Sequence, residues 1–261
     1  MSDKVTAPSL QRMRDKGEKI VCLTAYDYPS ALIADAAGVD VVLVGDSVGN
    51  VVQGHLTTLP VELDEICYHV KMVRRGLERA LLVADLPFGS YNISTEQAIE
   101  SAIKLMKAGA SAVKLEGDYH DAIQAIIKAG IPLMGHVGFT PQSINNFGGA
   151  KVQGRGTGAE TIVEHSKSIQ DAGAFAVVLE LIPADLATEI TEALTVPTIG
   201  IGAGINCSGE IQVWHDIMGI SDKQHKHTKF FLNGREAMIE AATTYTSQVR
   251  KSEFPGPENS F

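Results

Sequence analysis

Acidic side chains recur at the ends of short apolar runs in this sequence. Asp46 closes VDVVLVGD, Asp85 lies in ALLVADLPF, Glu116 ends SAVKLE and Glu180 ends AFAVVLE. A carboxylate buried without partners is costly, so its repeated placement at one kind of position points to a site. Asp46, Asp85 and Glu116 would repel one another if they converge, and a hard dication is the usual remedy. A ligand set made only of oxygen favours Mg²⁺ or Mn²⁺ over zinc. The competing reading is that each acid caps the helix after its strand. Lys114 stands two residues before Glu116 and so faces the same side of a strand. It could neutralise a substrate carboxylate, form a Schiff base or pair with Glu116. Beside so many acids it should stay charged, which favours carboxylate binding. Glu180 follows a strongly apolar run, where desolvation would raise its pKa and suit it to act as a general base. A structural Glu bonded to the next helix is the alternative. His136, in GHVGFTP, reads equally well as a substrate contact or as a satisfied buried histidine.

These residues need elements to aim them. Apolar, β-branched runs begin at Ile20, Val39, Ala80, Ser111, Ile131, Ala174, Val196 and Ile211, with the little alternation expected of strands buried on both faces. Helical patterns fill the gaps: 30–37, 62–78, 95–108, 119–129, 159–172 and 184–194, with a last one at 235–249. Cassettes such as AAGVD, KAGAS, KAGIP and DAGAF end several of them with a glycine suited to a left-handed C-cap. Eight strands alternating with helices predict a single (β/α)₈ TIM barrel, residues 1–261 as one domain with a short N-terminal arm and a C-terminal PGPENSF tail. A doubly wound open sheet is the alternative fold. In a barrel the strand C-termini build the site, so Asp46-Ser47, Asp85, Lys114, Glu116, His136 and Glu180 all fall at one mouth. GIGAG at Gly200 resembles a phosphate-cradling turn but lacks dinucleotide spacing. Loop 147–158, FGGAKVQGRGTG, would suit a lid over an anionic cosubstrate or be plain surface. His225 and His227 lie in a polar stretch and read as solvated.

The 261 residues carry a net charge of −9 and no strong basic cluster, which excludes nucleic acid as a partner. Three widely spaced cysteines, Cys22, Cys67 and Cys207, fit a reducing compartment. MSDKVTAPSLQRMRDKGEK has no apolar core of a secretory signal, and no run approaches a membrane span. The expectation is a cytoplasmic protein acting on small molecules.

Several long blocks carry a family likeness: LTAYDYPSA, VLVGDSVGNVVQGHLTTLPV, VADLPFGSY, AVKLEG, PLMGHVGFTPQS, VLELIPADLA and IGIGAGINCSGEIQVWHD, with the closing SEFPGPENSF. Across nearly the whole chain the sequence resembles the 3-methyl-2-oxobutanoate (ketopantoate) hydroxymethyltransferases of pantothenate biosynthesis. One departure is Ile205, which stands where the family usually has proline. The resemblance implies a (β/α)₈ fold, Mg²⁺, 5,10-methylenetetrahydrofolate as cosubstrate, and a cytoplasmic homo-oligomer, a decamer in well-known bacterial members. It implies that Asp46, Asp85 and Glu116 serve the metal. Asp46, Ser47, Asp85 and Lys114 would bind substrate, and Glu180 would accept the proton. The product would be 2-dehydropantoate, formed through a Mg-stabilised enolate. The alternative enzyme class is a Mg-dependent lyase or mutase of the phosphoenolpyruvate mutase/isocitrate lyase type. Such enzymes commonly carry a catalytic cysteine in a KxCG-like motif, and none of the three cysteines here sits in one.

Overall fold

The computed structural model describes residues 4–261; Met1 to Asp3 of the expected N-terminal arm lie outside the described residues. The chain divides into two compact units, one reaching to Val213 and one from Trp214 to Phe261. In the first, eight strands run β1 Ile20–Thr24, β2 Val41–Val44, β3 Leu81–Asp85, β4 Ala112–Lys114, β5 Leu133–Gly138, β6 Ala176–Glu180, β7 Thr198–Ile201 and β8 Gly209–Gln212. Each pairs in parallel with the next, and β1 pairs with β8, so the sheet closes into a barrel. The closed ring excludes the open-sheet alternative.

The helices of this unit are α1 Ala7–Asp15, α2 Tyr28–Ala36, α3 Val48–Val51, α4 Leu63–Gly76, α5 Thr95–Ala108, α6 His120–Lys128, α7 Ile144–Phe147, α8 Gly158–Asp171 and α9 Ala184–Ala193. Local sequence explains their ends. Asp27 caps α2 by accepting from the backbone N–H of Ser30 at 2.8 Å. Gly109 ends α5 with a left-handed φ of 119°. The second unit holds α10 Trp214–Ile217 and α11 Gly234–Arg250.

Strand periodicity decides which side chains fill the barrel. The interior cluster takes alternate residues: Ile20 and Cys22, Val41 and Leu43, Leu81 and Val83, then Ala112, Met134, Ala176 and Val178, Ile199 and Ile201, and Ile211. Continuing that step of two along four strands brings in Asp85 after Val83, Lys114 after Ala112, His136 after Met134 and Glu180 after Val178. The polar layer is therefore the topmost layer of the same interior that the apolar residues fill.

Besides the four-residue helices α3, α7 and α10, two elements differ from expectation. Helix α1 is not foreshadowed by the apolar pattern, yet a Thr6/Ser9 capping box starts it and fully buried Leu10 joins the interior cluster. The last strand begins at Gly209 rather than Ile211, because its pairing with Ile20 and Ile199 starts there. The WHDI that continues the apolar run turns into α10 instead.

Candidate active site

The side chain of Asp85 sits 2.7 Å from the Lys114 ammonium, and the two residues are direct register partners on β3 and β4. His136 comes next: its Nδ1 lies 3.5 Å from both Lys114 Nζ and Glu116 Oε1, and its Nε2 lies 3.2 Å from Glu180 Oε2. Asp46 enters from the turn after β2, where its backbone N–H donates to Asp85 Oδ2 at 3.0 Å. Ser47 stands beside it with its hydroxyl 2.7 Å from that of Tyr26. The strand-end acids, Lys114, His136 and Ser47 thus form one connected cluster. Asp27 does not belong to it, since its carboxylate caps α2.

Two glycines make room. A Cβ on Gly45 would stand 2.8 Å from Ser47 Oγ and 3.3 Å from Asp85 Oδ2. Gly138 has φ +95°, and a Cβ there would collide with the carbonyl oxygen of Glu180, its register partner. Leu181, directly after Glu180, is a bulky residue held at φ +46°, a conformation that stores strain. The chain is therefore bent sharply where Glu180 meets the mouth.

Burial and charge shape the chemistry. Asp85, Lys114, Glu116 and His136 expose 5% or less of their side chains, whereas Glu180 exposes 17%. Burial pushes the Asp46 carboxyl well above its ordinary range, and the nearby charges of Asp85 and Glu116 push it further. Burial also raises Asp85, against the opposing pull of Lys114. Burial works to discharge Lys114, but Asp85, Glu116 and Asp46 outweigh it and raise its pKa. That direction favours the ammonium form, suited to pairing with a carboxylate. Burial and the Lys114 charge oppose protonation of His136, yet Glu116 and Glu180 prevail and push it up to about 9. For Glu116, burial raises the pKa while His136 and Lys114 lower it, and the net shift is downward.

The cluster therefore sets four carboxylates against two cations. Fully ionised, it lacks two positive charges, the charge of one divalent ion. Among the described residues no group of three or more His, Cys, Asp or Glu forms a ready metal cage. Mg²⁺ does not require one, because it is usually held by one or two carboxylates together with waters and substrate oxygens. Buried Asp85 Oδ1 fits that use: the Lys114 ammonium, 2.7 Å away, pairs with it, and no other polar group of the described residues hydrogen-bonds it. Asp46 and Asp85 are the residues placed to hold such an ion. Glu116 is more engaged, with Oε2 accepting the backbone N–H of Gln142 at 2.9 Å and Oε1 facing His136.

Three residues here carry no warning in the sequence pattern. Gln142 is buried and donates its amide N–H to Asp46 Oδ2 at 2.8 Å and to the Leu86 carbonyl at 3.1 Å. Tyr91, also buried, donates to Gln142 Oε1 at 2.6 Å. Tyr26 meets Ser47. The available signal was their place in the blocks LTAYDYPSA, VADLPFGSY and GHVGFTPQS, each beside a strand end.

A closed parallel barrel whose strand ends carry buried acids, a lysine and a histidine defines a (β/α)₈ enzyme with its site at the C-terminal mouth. The family model described as ketopantoate hydroxymethyltransferase matches residues 4–257. The chain is 51% identical over 262 residues to a 3-methyl-2-oxobutanoate hydroxymethyltransferase of Chloroflexus aurantiacus, covering 98% of this chain and 92% of that protein. It is 50% identical to 3-methyl-2-oxobutanoate hydroxymethyltransferase 1 of Burkholderia ambifaria, over 98% of this chain and 96% of that one. The chain belongs to the ketopantoate hydroxymethyltransferase family, a family of transferase enzymes. Among solved structures it is similar to phosphonopyruvate hydrolase in complex with oxalate and Mg²⁺, with TM-score 0.64, 13% identity, and coverage of 98% of this chain and 93% of that one. A phosphoenolpyruvate phosphomutase from Streptomyces platensis subsp. rosaceus gives 0.65 and 12%, with 95% and 88% covered. At such identities the likeness is one of fold.

Proposed function

We propose that this protein transfers a hydroxymethyl group from 5,10-methylenetetrahydrofolate to 3-methyl-2-oxobutanoate, giving 2-dehydropantoate for pantothenate synthesis. The observation that carries this reading is the unbroken chain from Asp46 through Asp85, Lys114 and His136 to Glu180 at the mouth, in a member of this family. It sets carboxylate-binding groups at one end and a more exposed carboxylate at the other. Lys114 and Ser47 bind the carboxylate of the oxo acid. Asp46 and Asp85 hold Mg²⁺, with Glu116 supporting them from the next strand. When bound, the ion supplies Lewis-acid polarisation of the substrate carbonyl. Glu180 removes the proton from C3, and the freed electron pair forms the new bond to the methylene carbon. Water provides the hydroxyl oxygen, and tetrahydrofolate departs. His136 orients Glu180 and contacts the substrate.

The wider setting is a cytoplasmic homo-oligomer acting on small molecules. Buried thiols at Cys22, Cys67 and Cys207 suit a reducing compartment. No helix of the described residues is long and apolar enough to cross a membrane. Within α11, exposed Met238, Ile239, Tyr245 and Val249 form an apolar surface of the kind that subunit contacts cover. The number of subunits proposed is ten, from the family resemblance.

The test is direct. The protein is incubated with Mg²⁺, 5,10-methylenetetrahydrofolate and 3-methyl-2-oxobutanoate, and 2-dehydropantoate is sought by mass spectrometry. Formation that requires all three components supports the reading. Folate-independent cleavage of a 2-hydroxy acid with no such product would point to the lyase class instead.

A further inference from the structure

Gln142 is buried and hydrogen-bonds two acids of the cluster, Asp46 and Glu116. Its NH₂ group faces two acceptors, Asp46 Oδ2 and the Leu86 carbonyl, while its Oε1 faces the Tyr91 hydroxyl. A flipped amide would set oxygen against oxygen, so these three partners fix its orientation. The Tyr91 proton goes to Gln142, the nearer acceptor, and the Tyr91 oxygen is 3.3 Å from the Glu116 N–H that can donate to it. Tyr91 is buried and its ring packs edge-on against Tyr119, so the hydroxyl is itself held. The backbone N–H of Gln142 reaches Glu116 Oε2. One residue after β5 therefore fixes an acid after β2 and another after β4.

The consequence concerns how many oxygens the site can offer. Asp46 Oδ2 is bound to the Gln142 amide, Asp85 Oδ2 to the Asp46 N–H, and Glu116 Oε2 to the Gln142 N–H. Each acid has at least one oxygen tied to the protein; Asp85 Oδ1 also pairs with Lys114, and Glu116 Oε1 faces His136. Ca²⁺ favours six to eight oxygens and often takes carboxylates two oxygens at a time, whereas Mg²⁺ takes six in a strict octahedron and keeps waters. Resting on the Mg²⁺ reading above, we infer that Gln142, oriented by Tyr91, is a positioning residue that restricts Asp46 to one free oxygen and so sets the preference of the site for Mg²⁺ over Ca²⁺.

The measurement is binding rather than turnover. Dissociation constants for Mg²⁺ and for Ca²⁺ are determined by titration calorimetry on the full-length protein without substrates, for the native chain, Gln142→Met and Tyr91→Phe. Gln142→Met keeps the side-chain length and removes the amide. It should lower the Ca²⁺-to-Mg²⁺ ratio of dissociation constants by roughly tenfold, the lower end of what outer contacts to ligands contribute. Tyr91→Phe should shift the ratio the same way by less, because the amide remains but loses its anchor. A merely structural role would lower the melting temperature and leave the ratio untouched. An unchanged ratio in a folded Gln142→Met overturns the inference; should that variant not fold, an unchanged ratio in Tyr91→Phe does so. Failure of the native chain to bind Mg²⁺ at all would instead overturn the metal reading beneath it.

Discussion

Glu180 exposes 17% of its side chain in a cluster whose other charged members expose 5% or less. On the proposed reading, the buried groups hold and the accessible one exchanges a proton with substrate. Glu180→Gln keeps the shape and removes the base. Turnover should fall by about 10²- to 10⁴-fold, the usual worth of a positioned base, with substrate binding retained in calorimetry. Asp85→Asn keeps the size but removes a charge opposite Lys114. The concentration of Mg²⁺ giving half-maximal rate should rise at least about tenfold. Added Mg²⁺ should raise the melting temperature of the native chain by mass action and have little effect on this variant. At this scale the acids, Lys114 and His136 were legible because charge at the end of an apolar run is conspicuous. Gln142, Tyr91 and Tyr26 were not. Neutral polar residues in loops are common, and their importance lies in contacts between residues as far apart in sequence as Asp46 and Gln142.

Elements position those residues, and two local features bear on how firmly. Leu10 of α1 is fully buried among interior residues of the barrel. Leu10→Ala should cost about 2–5 kcal/mol in urea unfolding, as large-to-small changes in a core do. The approach to β3 is held by Asp35, whose carboxylate accepts from the backbone N–H of Ala80 at 2.7 Å, of Glu78 at 3.0 Å and of Arg79 at 3.2 Å. Burial alone would raise its pKa, but these donors and the Arg79 charge outweigh that and lower it. A carboxyl with a depressed folded pKa contributes stability above its unfolded value, and that contribution is lost as pH falls through the folded one. Asp35→Ala should therefore cost about 1–3 kcal/mol near neutrality. The gap from the native chain should close as the solution is acidified below the ordinary carboxylate range, which pH-dependent urea melts would show. Most helices fell within two residues of their sequence patterns, since apolar stripes and glycine caps are local. Helix α1 is not legible in the apolar pattern because its signal is a cap and a single anchoring leucine. The eighth strand begins two residues before its apolar run, because only pairing with β1 and β7 places its start at Gly209.

For the whole molecule, eight apolar runs alternating with helices indicated a barrel, but closure depends on β1 meeting β8, about 190 residues apart in the chain, which no local pattern encodes. Assembly likewise lies beyond local pattern. Sedimentation equilibrium should return a mass of about ten chains, and a monomer at micromolar concentration would contradict the proposed oligomer. The central claim is that the barrel mouth makes C3 of a 2-oxo acid nucleophilic, with Glu180 as the base. It is tested most directly by proton exchange without the cosubstrate. In D₂O with Mg²⁺ and no folate, the native protein should replace the C3 hydrogen of 3-methyl-2-oxobutanoate by deuterium, read by loss of its proton NMR signal, and Glu180→Gln should not. Exchange undiminished in Glu180→Gln, or absent from a native protein that binds both Mg²⁺ and the oxo acid, would contradict it.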